Sequence, residues 1–170
     1  MNKLIFNIAP KSPVSEAYRD VRTNLFYADA HGDIKTILFT SSTSGEGKTT
    51  TLCNVALSLA DSEKRVIIVD CNLRNPMVHK LLDLSNIQGL TDVLYKLDRY
   101  DTVIHKTANP RLDVMTSGKI PANPAEILSS DKIKMFFKRL SEDYDYVLID
   151  TAPVVPVTDR SEERRVGKEC

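Results

Sequence analysis

The stretch that decides the fold is residues 36–51, which read Thr-Ile-Leu-Phe-Thr-Ser-Ser-Thr-Ser-Gly-Glu-Gly-Lys-Thr-Thr-Thr. Its first five residues form a short apolar run, β-branched at its start, which predicts a buried strand over Thr36–Thr40. Apolar residues then recur at helical spacing from Leu52 to Leu59, so we expect a helix that reaches about Asp61. The sequence therefore predicts a strand and a helix joined by a turn rich in glycine and serine.

This turn has the composition of a phosphate-binding loop. Backbone N–H groups at the start of a helix have no partner within it and attract anions. Gly45 and Gly47 permit a partly left-handed backbone, while Lys48 can reach phosphates and Thr49 can ligate Mg²⁺. Ser42 replaces the first glycine of the strict motif, so an ordinary Ser/Gly-rich turn is the alternative. We predict that ATP and Mg²⁺ are bound, with the nucleotide held by Ser44, Gly45, Glu46, Gly47, Lys48, Thr49 and Thr50.

Two further strands are expected to end on a carboxylate. Val66–Val69 precedes Asp70, and Tyr146–Ile149 precedes Asp150. Both runs are fully apolar, as in strands covered on two faces, and ligands bind at the carboxyl ends of parallel strands. Taken singly, each aspartate could be an ordinary polar strand end. Together with the glycine-rich loop they form a set of groups that can bind a metal ion and phosphate.

The remaining pattern alternates helices with strands. Ser12 before Pro13 has the pattern of a helix cap, and Val14, Ala17, Val21 and Leu25 predict an amphipathic helix to about Ala28. Other expected elements are helices over 76–82 and 91–97, a strand over Leu112–Met115, a capped start at Asn123, and a helix containing Ile133, Phe136, Phe137 and Leu140. These spacings predict a three-layer α/β/α P-loop NTPase fold with a mostly parallel sheet.

The bulk composition excludes several classes of protein. The chain has 23 Lys plus Arg and 23 Asp plus Glu among 170 residues, so no global charge favours nucleic acid or an anionic membrane. No apolar run approaches the roughly 20 residues of a membrane span. Three cysteines without paired spacing argue against a disulfide framework, and the three histidines are isolated, so none is expected to be a metal ligand.

The last eleven residues, 160–170, differ from the rest. They are charged and aperiodic, and they resemble the translation of a common sequencing-library adapter, so we interpret them as a non-native tail. The alternative is a native solvated tail. We accordingly place one domain at residues 1–159 and expect it to be C-terminally truncated. On that view the last strands would lack cover, and the chain would fold marginally or aggregate.

Four motifs together resemble the bacterial tyrosine kinases, specifically the CpsD-like capsule and exopolysaccharide autokinases. They are Glu16-x-x-Arg19-x-x-Arg22, the glycine-rich loop, the Asp70–Pro76 segment and Asp150–Pro153. Residues 112–126 are also similar, and the resemblance spans about residues 3–159. It implies an ATP-dependent tyrosine autokinase that regulates polysaccharide synthesis and export.

The resemblance also implies roles for single residues. Catalysis would involve Lys48 on the transferring phosphoryl group, Asp70 as base or base-orienting residue, and Asp150. The implied metal ligands are Thr49, Asp70, Asn72 and Asp150. The family pattern is Asp-x-Asp-x-Arg, and this chain departs from it at Asn72, which keeps an oxygen but loses a charge.

Partners follow from the same resemblance. Glu16, Arg19 and Arg22 fall on one helix side; spacing alone favours a solvated charged face, whereas the resemblance implies contacts within a ring oligomer. It further implies a membrane adaptor of the polysaccharide co-polymerase type, a cognate tyrosine phosphatase, and a cytoplasmic location at the inner face of the membrane. No nucleic-acid partner is expected.

Two other functions stay open at this stage. One is a MinD/ParA-type ATPase switch, although Thr43 stands where such proteins have a signature lysine. The other is an inactive nucleotide-binding regulator, which Asn72 would favour.

Overall fold

A central sheet organises the computed structural model, which describes residues 4–29, 32–96 and 100–154. Within those ranges its five strands are β1 (Thr36–Phe39), β2 (Val66–Asp70), β3 (His105–Lys106), β4 (Leu112–Met115) and β5 (Tyr146–Asp150). They lie in the order β1-β5-β2-β4-β3. All neighbouring strands pair in parallel except β3 and β4, which are antiparallel. The mostly parallel sheet predicted from the sequence is therefore confirmed.

Helices cover both faces of this sheet. They are α1 (Ile5–Ile8), α2 (Pro13–Ala28), α3 (Lys48–Asp61), α4 (Val78–Leu82), α5 (Leu90–Lys96), α6 (Pro124–Leu128) and α7 (Asp131–Asp143), with a 3-10 turn at Tyr100–Val103. On one face α1 to α4 pack around Val66 and Ile68 of β2, and on the other α5 to α7 pack around Ile67 and Val69. The predicted three-layer architecture is confirmed.

The two strands that end on aspartate lie side by side at the centre. Every residue of β2 and of β5 is buried, as their unbroken apolar runs predicted. Their register places Asp70 directly beside Asp150. The expectation that the last strands lack cover is therefore wrong for β5, which has a strand on each side and a helical layer on each face.

β1 corrects a second expectation. The run at Thr36–Thr40 does form a strand, but its residues alternate between exposed and half-buried instead of being buried. β1 lies at the edge of the described sheet and pairs only with β5. Because Ile37 and Phe39 face the core, Leu38 faces the opposite side, where 59% of its surface is exposed.

α2 begins where it was predicted but packs through a different face. The Ser12 hydroxyl caps the helix by accepting from the Ser15 N–H at 3.2 Å. Val14 and Val21 of the predicted apolar stripe are 51% and 42% exposed. Of the predicted stripe only Leu25 packs against the core, because the packed side of α2 otherwise carries Ser15, which donates to the Ala9 carbonyl, and the aromatic residues Tyr18 and Phe26.

α3 is the most enclosed helix of the described chain. The sequence predicted one apolar face, but every residue from Leu52 to Ala60 is buried because the sheet, α1, α2 and α4 surround it. Its buried Asn54 is satisfied, accepting from the Phe6 N–H at 3.0 Å and donating to the Thr50 carbonyl at 2.8 Å. The helix that begins at the glycine-rich loop is thus firmly anchored.

Some expectations fall partly outside the described residues. These are the end of the 91–97 helix at Leu97 and the tail at 160–170. In the part of the chain that is described, no helix combines the length and apolarity needed to cross a bilayer. The helix expected over 76–82 is shorter than predicted and begins at Val78.

Candidate functional site

The glycine-rich loop connects β1 to α3 at the carboxyl edge of the sheet. Gly45 and Gly47 have φ of 87° and 85°, the left-handed conformation that favours glycine. Glu46 ties the loop together, since its carboxylate accepts from the Ser42 N–H at 3.0 Å and from the Thr43 hydroxyl at 2.9 Å. The hydrogen bond from the Thr43 hydroxyl is the main cause that lowers the pKa of Glu46. This bracing role was not foreseen from the sequence.

Lys48, Thr49 and Asp150 converge just beyond the loop. The Lys48 ammonium forms an ion pair with Oδ1 of Asp150, and the Thr49 hydroxyl donates to Oδ2 at 2.8 Å. The side chains of Lys48 and Asp150 are only 8% and 0% exposed. Three residues predicted to act together are thus placed together, although about 100 positions separate Asp150 from the other two.

Asp70 has a different environment. Oδ1 accepts from the Asn72 N–H at 3.1 Å, and Oδ2 accepts from the N–H groups of Met77 and Val78 at 3.2 and 3.1 Å. Burial and, secondarily, the charge of Asp150 raise the pKa of Asp70 to about 7. This carboxylate organises the turn that leads into α4, a role the sequence did not indicate.

Asn72 lies at the border of the same site. Its Oδ1 accepts from the Asn75 N–H at 3.3 Å, so the side chain closes a local turn. Only 7% of its surface is exposed, and that surface borders two clefts. Its predicted role as a metal ligand stays a prediction, as does that of Asp70.

Two adjoining clefts open at this edge of the sheet. The first has a volume of about 260 Å³ and is lined by the loop and the start of α3, together with Asn72, Asn75, Met77, Leu81 and Pro153. The second is about 590 Å³ and has largely apolar walls formed by Leu73, Pro124, Leu128, Ala152 and Pro153. Ser44, Asn72, Asn75 and Pro153 border both. The sequence predicted the first cleft but not the placement of α6 as a wall of the second.

The side-chain oxygens of Thr49 and Asp150 suit magnesium as ligands. Thr49 offers a hydroxyl and Asp150 a carboxylate, the hard ligands that Mg²⁺ prefers. The described residues include no cluster of three or more His, Cys, Asp and Glu that could enclose an ion alone. A site with few protein ligands is what Mg²⁺ uses when phosphates and water complete its shell.

The residues predicted for oligomerisation make contacts within the chain. Arg19 pairs with Glu16 at 2.7 Å, and its guanidinium lies 4.9 Å from the centroid of the Phe6 ring. Arg22 donates to the Ser58 carbonyl of α3 at 3.0 Å. Glu16 and Arg19 therefore remain at the surface of α2, whereas Arg22 helps to dock α2 on α3.

Comparisons with known proteins agree with this architecture. Residues 34–161 match the family model described as an AAA domain. The chain is 42% identical over 150 residues to the tyrosine-protein kinase YwqD of Bacillus subtilis, covering 88% of this chain and 63% of that protein. It is 35% identical to the putative tyrosine-protein kinase CapB of Staphylococcus aureus, covering 95% of this chain and 71% of that protein.

Solved structures show the same relationship. The chimerical protein CapA2B2 superposes with a TM-score of 0.87 at 37% identity, covering 94% of this chain and 70% of that one. The septum site-determining protein MinD of Pyrococcus horikoshii, at 23% identity and a TM-score of 0.61, shares the fold alone. The chain spans less than two thirds of the Bacillus kinase and 20–21% of several longer tyrosine-protein kinases. The match to CapB, extensive in both chains, together with the geometry of the site, shows that this chain belongs to the bacterial tyrosine kinase family.

Proposed function

We propose that the protein is a tyrosine autokinase that transfers the γ-phosphoryl group of ATP to tyrosine hydroxyls and regulates capsular or exopolysaccharide synthesis. The observation that carries this proposal is the contact among Lys48, Thr49 and Asp150 directly beside the glycine-rich loop. The kinase activity is carried over from the named relatives. The link to polysaccharide rests on the resemblance of the four sequence motifs.

The residues of the first cleft have the chemistry that phosphoryl transfer needs. Loop N–H groups and the start of α3 would hold the phosphates, and Lys48 would offset the negative charge that develops on the transferred group. Thr49 and Asp150 would hold Mg²⁺, which neutralises phosphate charge when bound. Binding requires Lys48 to turn from Asp150 toward the phosphates, which frees Oδ1 of Asp150 for the metal.

The second cleft supports a protein acceptor. It adjoins the phosphate loop at Ser44, and its apolar walls at Leu73, Pro124 and Leu128 suit the ring of a tyrosine. Asp70 is our candidate base or base-orienting residue, because it directly precedes Cys71 in the wall of this cleft and its raised pKa suits proton transfer near neutral pH; in the free chain it has no exposed surface. To accept a proton, Asp70 would have to release one of its backbone N–H partners.

Incubation of the protein with labelled ATP and Mg²⁺, followed by detection of phosphotyrosine, tests this function. We expect label on tyrosine in the parent protein and none in a Lys48→Met variant. Free phosphate without labelled tyrosine would instead support a MinD/ParA-type ATPase switch. Nucleotide binding without any turnover would support an inactive regulator and would overturn the proposal.

We further propose self-association into a ring through α2, which would place the acceptor tyrosine of one copy near another copy's site. Glu16 and Arg19 lie at the surface of this helix, beside the exposed Val14 and Val21. Arg19→Glu should lower the sedimentation coefficient, whereas Lys134→Glu on α7, where the lysine side chain is 74% exposed, serves as the matched charge reversal. Equal sedimentation of both variants and the parent would rule out this role.

Attachment to the cytoplasmic face of the membrane completes the proposal. A membrane adaptor of the polysaccharide co-polymerase type would recruit the kinase, and a cognate phosphatase would reverse its modification. Co-sedimentation of the protein with vesicles that contain the adaptor, compared with vesicles that lack it, tests the recruitment. Equal binding to both would argue against the adaptor.

A further inference from the structure

The outer wall of the second cleft is only partly held by the core. α6 supplies Pro124, Ala125 and Leu128 to this wall; none of its five residues is fully buried, although Ile127 and Leu128 pack half-buried against the core. Its place therefore depends also on the segment that leads from the end of β4 into the helix. That segment begins at Gly118, immediately after the buried residues Thr116 and Ser117.

The Asn86 side chain forms hydrogen bonds with both the N–H and the carbonyl of Gly118, the first residue of this segment. Oδ1 of Asn86 accepts from the Gly118 N–H at 2.9 Å, while Nδ2 donates to the Gly118 carbonyl at 3.0 Å. The same side chain also exchanges hydrogen bonds with the Ser117 hydroxyl, at 3.1 and 3.2 Å. One amide thus satisfies the backbone of a residue that lies 32 positions further along the chain.

The surroundings leave the backbone little freedom to move at this point. Gly118 has a φ of 75°, and a Cβ atom there would lie 2.6 Å from the Thr91 hydroxyl. A Cβ atom at Gly89 would lie 2.2 Å from the Thr116 carbonyl oxygen. With Leu90 N–H bonded to that carbonyl at 2.9 Å, the loop before α5 and the end of β4 form one close-packed unit.

We propose that Asn86 is a positioning residue for the acceptor: by holding Gly118, it sets the location of α6 and thereby the affinity for the tyrosine-bearing substrate. This inference rests on the proposed kinase function. Asn86 does not touch the nucleotide region, because the described residues that line the first cleft include none between Leu81 and Pro153. Its loss should therefore act on the acceptor and spare the nucleotide.

The test compares Asn86→Ala with Asn109→Ala in the full chain. Asn109 makes a similar side-chain bond to backbone, accepting from the Arg111 N–H at 2.9 Å, but it lies before β4 at the opposite edge of the sheet. We expect Asn86→Ala to raise the KM for a synthetic Glu-Tyr polymer about tenfold, the scale of one or two lost hydrogen bonds, with Asn109→Ala unchanged. The Kd for a fluorescent ATP analogue with Mg²⁺ should stay within about twofold in both.

Two additional measurements separate positioning from general damage. Hydrogen exchange in residues 119–128 should accelerate in Asn86→Ala but not in Asn109→Ala. Asn86→Asp keeps the acceptor for the Gly118 N–H and should give an intermediate KM. An unchanged KM, or a KM and a nucleotide Kd that rise together, would overturn the inference.

Failure of the proposed function gives a different result. If the parent protein labels no tyrosine, the kinase proposal is wrong, and the exchange data alone decide whether Asn86 positions α6. Faster exchange confined to 119–128 would then support positioning, and unchanged exchange would refute it.

Discussion

The ends of β5 and β2 contain the same sequence pattern but different chemistry. Asp150 and Asp70 both follow buried apolar strands, lie in register and have no exposed surface. Asp150 faces Lys48 and Thr49 at the phosphate loop. Asp70 faces three backbone N–H groups of the turn before α4.

The difference shows that a carboxylate's function depends on which donors surround it. Asp150 meets side-chain donors that ligands can displace, so its oxygens can be shared with a metal. Asp70 meets backbone donors, which stabilise the turn and cannot leave without moving the chain. The following predictions separate the two carboxylates, from the largest expected effect to the smallest.

Lys48→Met should have the largest effect. It would leave Asp150 buried without its cation, which we expect to lower the free energy of unfolding by about 3–5 kcal/mol. Adding Asp150→Asn should restore much of that stability without restoring nucleotide binding. Urea unfolding of the parent, both single variants and the double variant measures the coupling; additive losses would mean that the ion pair contributes little.

Asp70→Ala should destabilise the turn into α4. Three N–H groups would lose their acceptor, and we expect a loss of about 2–4 kcal/mol in unfolding free energy, since buried donors without a partner are costly. Nucleotide binding should suffer less than in Lys48→Met, which calorimetry can measure. Asp61→Ala, at an exposed position at the end of α3, is the control. Abolished nucleotide binding with unchanged stability would reverse the roles assigned to the two carboxylates.

The pH dependence of stability should also identify Asp70. Its pKa is about 7 in the folded chain against an ordinary value of 3.8, so the folded state binds the proton more tightly than the unfolded state. The resulting stability is fully present below about pH 4 and is lost as pH rises to about 7, an effect of about 1–4 kcal/mol. In the absence of Mg²⁺ and nucleotide, the difference between the urea midpoint of the parent and that of Asp70→Asn should fall as the pH rises over that range. A constant difference would contradict the raised pKa.

Asn72→Asp should have the smallest effect. The new carboxylate can still accept from the Asn75 N–H, so the local turn should survive. An added charge near Asp70 and Asp150 favours the metal, and we expect phosphotransfer at saturating Mg²⁺ to be unchanged or up to about threefold higher. A strong loss of phosphotyrosine label would show that the amide itself is needed.

Much of the fold could be predicted from local pattern. The unbroken runs at Val66–Val69 and Tyr146–Ile149 are typical of strands buried on both faces, and both are central. The run at Thr36–Thr40 has a similar composition, yet β1 is half exposed because burial depends on the neighbours of a strand. Most of the stripe on α2 is exposed for a related reason, since the helix docks through Ser15 and Arg22 as well as through Leu25.

By itself, the sequence determined the strand–loop–helix that holds phosphate, because glycine conformation and the free N–H groups of a helix start are local properties. It also determined that two carboxylates lie at the same edge of a parallel sheet. Only the tertiary structure decided that Asp150 meets Lys48 whereas Asp70 meets backbone, and that Asn86 holds Gly118. Those contacts join positions far apart in the chain, and local patterning cannot specify which distant groups pack together.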